Sequence, residues 1–376
     1  MLLNIVLDQQ TMHNTLKTAK LLILLLLVTC TAACSSFSYY AQSIQGQLEI
    51  LNKSKPVDEL LKEQQLPQQL LDELDIVRQI REFAITELSL PDNGSYRQYA
   101  DLEREYVVWN VFAAPELSLA GKQWCYLVAG CLNYRGYFSR DAALHLANKL
   151  EKQGYDVYVG GVTAYSTLGW LADPVLNTML NRGTTDLARV IFHELAHQKI
   201  YIKDDTEFNE AFADTVAIEG VERWLQKTGN SESIRKFKQD QEREDIFVNL
   251  VLRYRRQLDE LYHSQFSDLE KRVTKTRLLQ QMVNDYQQDR SAWRDGTTYD
   301  TWFAIGVNNA KLNAVTTYRE YVPGFKILLR SVGSNLARFY GLVEELGKCR
   351  AEKRKSILQS GYTRFSCQGL HTDVQE

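Results

Sequence analysis

The chain has 376 residues, of which 44% are hydrophobic, 24% charged and 11% aromatic. That composition excludes a disordered or collagen-like chain and suffices for one large buried core or two modest ones. With 44 basic side chains against 47 acidic ones, the formal net charge is −3. The clustered basic excess of a nucleic-acid binder is missing, so no nucleic-acid partner is expected.

Lys17 and Lys20 precede a short apolar run from Leu21 to Val28, followed by Thr29-Cys30-Thr31-Ala32-Ala33-Cys34. A charged start, an apolar stretch and small residues at its end describe a secretory leader. The run is too short for a membrane-spanning helix, which needs about 20 apolar residues. Ala33 followed by Cys34 and Ser35-Ser36 resembles a bacterial lipobox. That resemblance implies cleavage after residue 33 and acylation of Cys34, which would tether the chain to a lipid membrane. Ser35 in the next position points to the outer membrane of the cell envelope, with the protein facing the periplasm. A plain secretion signal with Cys34 as a free thiol is the alternative. Initiation at Met12 would give a leader of ordinary length.

Residues 34–120 read as an N-terminal helical region, with helices from about Ala41 to Phe112. They are broken near Pro56, Pro67 and Pro91-Asp92-Asn93-Gly94; Leu66, Leu70, Leu71, Leu74, Val77 and Ile80 keep helical spacing. A glycine-rich and aromatic-rich middle follows from Gly121 to Trp170. It holds a helix over Asp141–Gln153, stopped by Gly154, and a strand over Asp156–Val159 that ends in Gly160-Gly161. Helices resume near Asp186. From residue 229 to 376 the chain reads as a C-terminal helical region. Ser231 to Arg294 forms a long charged hairpin with Phe247, Leu250, Val251 and Tyr254 on one face. A final helical pair runs from Asn309 to Gly347, interrupted at Pro323-Gly324. The class is mainly α, an α+β fold with one small β element. Cysteines of an exported chain can pair, and neighbours in sequence suggest Cys125 with Cys131 and Cys349 with Cys367; four buried thiols are the alternative.

Residues 193–197 read His-Glu-Leu-Ala-His. Two histidines four apart on a helix project from one face, so His193 and His197 can bind one zinc ion. Glu194, between them, is placed to take a proton from water held by that ion. A third protein ligand is needed, with one position left for water and substrate. Helical spacing of Phe208, Phe212 and Val216 predicts a second helix, capped by Asp205 or Thr206, that carries Glu210 as this ligand. Asp214, four residues on, lies on the same face and could accept a hydrogen bond from the far nitrogen of a ligand histidine. Only twelve residues separate His197 from Glu210, which leaves Glu207 as a rival.

The Asn209-Glu210-x-x-x-Asp214 pattern resembles the second motif of the gluzincin zinc peptidases. More specifically, four stretches resemble a family of bacterial lipoproteins described as aminopeptidases. They are Trp124–Phe138, Gly160–Trp170 with Asp173-Pro174, His193–His197, and Phe208–Ala213. The resemblance spans nearly the whole mature chain. It implies a zincin-like metallopeptidase core over residues 121–228, and peptide substrates cleaved by a zinc-activated water.

In such sites an edge strand before the metal helix pairs with the substrate backbone, a role that falls on the strand around Gly160 and Gly161. The developing oxyanion needs a donor, for which Tyr165, Tyr134 and Tyr318 are candidates and Tyr165 is preferred. Arg135, and Tyr134 beside it, are candidates for substrate binding, Arg135 through a carboxylate. His145 and His263 lie on helical patterns away from the motif. The competing reading is a lipoprotein scaffold with structural zinc or an idle site, binding partners through its long charged helices. Endopeptidase action and the oligomeric state stay open.

Overall fold

The computed structural model describes residues 39–126, 130–180, 182–229, 231–288, 299–363 and 365–367. Cys34 and the expected leader therefore lie outside the described residues. The chain divides into two compact units, Met1–Asn52 and Lys53–Glu376. The first is described from residue 39 onward, as helix α1 over residues 39–53.

The second unit opens with β1 (Lys55–Pro56), α2 (Val57–Leu60), α3 (Gln68–Thr86), β2 (Gln98–Ala100) and β3 (Val108–Pro115). A short hairpin of β4 (Trp124–Tyr126) and β5 (Gly130–Leu132) leads to β6 (Arg135–Tyr137), α4 (Arg140–Glu151) and β7 (Tyr155–Val162). Then come β8 (Val175–Leu176), α5 (Asn177–Leu180), α6 (Thr184–Lys199) and α7 (Thr206–Thr228). The C-terminal part is helical throughout: α8 (Ser231–His263), α9 (Asp268–Gln288), α10 (Asp300–Ala304), α11 (Asn309–Arg319), α12 (Val322–Ser331), α13 (Leu336–Gly347) and α14 (Ala351–Ser360). The architecture is mainly α with small sheets, as the periodicity predicts.

The expected all-helical stretch up to Phe112 is corrected by β3, the middle strand of an antiparallel sheet in the order β6-β3-β7. Its register sets Val111 opposite both Val159 and Arg135. Val108 and Asn110 to Ala114 are all buried, so the strand lacks the alternation that marks a half-exposed one. A second small sheet pairs β2 antiparallel with β1 and parallel with β8. Helices α4 and α11 both pack on β3 and β7.

Helix α7 is the spine of the helical part. Phe208 and Phe212 meet Phe325 of α12, and Phe212 stacks on Phe339 of α13 at 6.0 Å. On another side Phe83 of α3 meets Phe192 of α6 and Trp224 of α7. Gly220 lets these elements close up, since a Cβ there would stand 2.6 Å from Leu88 and 2.7 Å from Phe192. The expected hairpin is α8 with α9; Phe247, Leu250, Val251 and Tyr254 bury its stripe against Met282, Tyr286 and Phe303. The final pair is three helices: Pro323 lies in the first turn of α12, and a second break at residues 332–335, with Gly333 and Ser334 at positive φ, separates α12 from α13. Both expected cysteine pairs are bonded, Cys125 with Cys131 and Cys349 with Cys367.

Phe212 is fully buried among three aromatic rings. Phe212→Ala should therefore cost about 3–5 kcal/mol of stability, read as a lower denaturant midpoint at unchanged slope.

Candidate metal centre

Helix α6 carries the motif, and its apolar residues Leu187, Ile191, Phe192 and Leu195 are buried. Gly183, with φ of 85°, precedes its first turn and offers no side-chain cap. After Lys199 the chain turns within six residues into α7, whose cap is Asp205, accepting from the Phe208 amide at 3.2 Å. Asn209 makes the short connection possible. Its side chain accepts from the Ile202 amide and donates to the Ile202 carbonyl, both at 2.7 Å. The disulfide hairpin holds the same connection: the Cys131 amide donates to Asp204 at 2.7 Å.

This turn brings three side chains from two helices to one point. His193 Nε2 stands 3.1 Å from Glu210 Oε2 and 3.1 Å from His197 Nε2, and His197 Nε2 stands 3.5 Å from Glu210 Oε2. Ligands at about 2.0–2.1 Å around a tetrahedral zinc lie about 3.3 Å apart, so the donor set and its spacing fit that ion. His197 and Glu210 are buried and His193 is half-buried. Burial pushes the Glu210 carboxyl up, but the neighbouring His197 charge and the hydrogen bonds of both histidines outweigh it and bring it down to about 2. Glu207, the rival, faces the other way, toward the Tyr321 hydroxyl at 3.5 Å. Burial and nearby Glu320 push its carboxyl up.

Glu194 lies beside the three. Burial raises its carboxyl above the ordinary range; the histidine charges oppose this, and Glu210 and Asp173 add to it. Asp214 does not hold a histidine ring, contrary to the expectation. Its oxygens accept from Arg189 of α6 at 2.9 Å and from Arg319 of α11. Both arginines also pair with Glu244 of α8, at 3.2 and 3.3 Å. A carboxylate between two guanidinium groups satisfies them before it satisfies a neutral imidazole. His197 Nδ1 is buried and finds no partner among the described residues.

The three candidate tyrosines sit in different surroundings. The preferred donor, Tyr165, stands edge-on to Phe138 with centroids 5.1 Å apart. The phenols that share the field of Glu210 and Glu194 are Tyr134 and Tyr318, both pushed well above the ordinary range, chiefly by burial. Strand β7 is terminal in its sheet, as the edge-strand role requires. At Gly161, however, the space a Cβ would take is filled by the ring of Tyr106, 2.4 Å away, and at Gly160 the Tyr158 hydroxyl lies 3.2 Å from that position. These glycines admit the protein's own rings. Arg135 lies on β6, across β3 from β7, with its guanidinium 5.7 Å from the Tyr137 ring. His145 and His263 are exposed on α4 and α8, apart from the histidine pair.

Sequence reasoning missed Arg189 and Arg319, which no local signal marks. It also missed Asp173, whose carboxylate organises the segment before α6. Asp173 accepts from the Thr167 hydroxyl at 2.7 Å and its amide at 3.0 Å, and from Gln198 on the metal helix at 3.5 Å.

The site thus defines a mainly helical protein with a His193-His197-Glu210 group able to hold a metal ion. Residues 38–358 match the model of a family described as "Putative aminopeptidase", and the chain belongs to that family. No curated protein and no solved structure matches it.

The Asp214 carboxyl is held well below the usual range: burial pushes it up, and Arg189 and Arg319 more than reverse this. Its folded value lies below the unfolded value of about 3.9, so this contribution is complete above about pH 5 and is lost as pH falls further. Asp214→Asn leaves two guanidinium groups short of a charge and should cost about 3–5 kcal/mol. Urea melts of both proteins between pH 3 and 7 check this, the variant showing the shallower loss toward acid.

Proposed function

We propose that the protein is a zinc-dependent aminopeptidase held at the bacterial outer membrane by lipid on Cys34. The observation that carries the enzymatic part is the convergence of His193 Nε2, His197 Nε2 and Glu210 Oε2 within 3.5 Å of one another, with Glu194 beside them. The two rings and the Glu210 carboxylate would hold the ion. A zinc ion bound there supplies a Lewis acid and a water acidic enough to lose a proton near neutral pH.

The remaining roles belong to the chain itself. A structural metal site has no use for a half-buried carboxylate beside its ligands. Glu194, raised by burial, is suited to accept the proton of the attacking water and to hand it to the departing amine nitrogen. Tyr134 and Tyr318 keep their phenolic protons, as burial demands, and serve as donors to the negative charge that develops on the scissile carbonyl oxygen. The outer edge of β7 can pair with an extended peptide backbone. The family supports the exopeptidase assignment.

The test is zinc content together with hydrolysis of aminoacyl coumarylamides and their N-blocked forms. The expected result is about one zinc per chain and cleavage of free-amine substrates. Glu194→Gln should keep the metal and lose about 10²–10⁴-fold in kcat, whereas His193→Ala should lose both. A metal-free protein with full activity would refute the reading.

For the anchor, no helix among the described residues is long and apolar enough to cross a membrane. A lipid on Cys34 would by itself be a sufficient reason for membrane association. Cys34→Ser should move the protein from the membrane to the soluble fraction and abolish fatty-acid labelling; unchanged partition overturns the anchor.

A further inference from the structure

Tyr96 has three features that packing alone does not account for. Its backbone lies in the left-handed region at φ of 60°, which a bulky side chain rarely adopts. The residue is 2% exposed. Its hydroxyl is buried and finds no hydrogen-bond partner among the described residues. Strained backbone persists only where the surroundings impose it, and a buried orphan donor is rare. A phenylalanine would fill the same space without the unpaired hydroxyl.

The surroundings impose the conformation from two directions. The Tyr96 amide donates to the Asp173 carbonyl at 2.6 Å. On the other side, Arg81 donates to the Ser95 carbonyl at 2.9 Å, and Asn93 donates to Gln198 at 2.6 Å. Gln198 lies one helical turn after Glu194, on the same face of α6, and also reaches Ser95 Oγ, at 3.3 Å. The turn that presents Tyr96 is therefore bound to the end of the metal helix. Two carboxylates act on the phenol, Glu194 more strongly than Asp173; with burial as the leading cause, they keep it protonated. Asp173 is already saturated by Ser166, Thr167 and Gln198. Glu194 accepts no hydrogen bond from any described residue. A donor without an acceptor thus stands in the field of an acceptor without a donor.

We propose that Tyr96 is a positioning residue for Glu194, giving its phenolic hydrogen to one carboxylate oxygen so that the other faces the water to be deprotonated. This rests on the peptidase reading above. The contact forms when substrate occupies the site and displaces solvent from the carboxylate. Until then the hydroxyl is an uncompensated group that lowers stability.

The test compares the full-length protein with Tyr96→Phe and Glu194→Gln, measuring zinc content, Tm and turnover of the coumarylamides. Tyr96→Phe should keep its zinc, match or exceed the wild-type Tm, and lose about 10- to 100-fold in kcat with little change in KM. A purely structural tyrosine would lower Tm instead. A lower Tm, whatever the kcat, overturns the proposal, and so does an unchanged kcat. The Tm comparison needs no substrate. Glu194→Gln with full turnover would sink the peptidase reading itself, whereas a silent Glu194→Gln beside a fully active Tyr96→Phe sinks only the role of Tyr96.

Discussion

The packing of α6 against α7 is the constraint on which the rest of the structure depends. Neither helix alone presents three atoms able to hold a metal ion; the point where they meet does. The contact holds buried charge, because Asp214 is pinned between Arg189 of its neighbour and Arg319 of α11. Removing such groups from water is costly unless each finds its counter-charge. Glu244 extends the network into α8. The long helices after residue 229 are thereby built into the centre as a buttress, which weakens the picture of them as a free scaffold.

Around this pair, short segments are tied to the two ends of the connection. Asn209 closes the turn between the helices, and Arg354 of α14 donates to Asp205 at 2.8 Å and 2.6 Å. The disulfide hairpin reaches Asp204 from another side. Gln198 at the end of α6 gathers Asn93, Ser95 and Asp173. Precision at the centre comes from loops that hydrogen-bond to α6, which is how irregular backbone can hold a side chain firmly.

Much of this is visible in the chain. The histidine pair is legible because the helical period alone places residues 193 and 197 on one face. The cap at Asp205 and the hairpin of α8 with α9 follow from equally local rules. Strand β3 was hidden, since a strand buried on both faces has no alternation. Asp214 was placed on the right face of α7 but given the wrong partner, because Arg319 lies 105 residues further along. Likewise, twenty tyrosines give no means of telling that Tyr134 and Tyr318 share the field of the carboxylates.

The sequence by itself determined the two helices of the candidate metal centre and the residue types they carry, and it suggested the cysteine pairs, because each depends on spacing within a few turns of chain. The tertiary structure alone decided that Glu210 and not Glu207 joins the histidines, and that two distant arginines hold Asp214. It also decided that a strained, buried tyrosine lies within the field of Glu194. Those outcomes depend on which groups from remote segments share one desolvated space, and local periodicity carries no information about that.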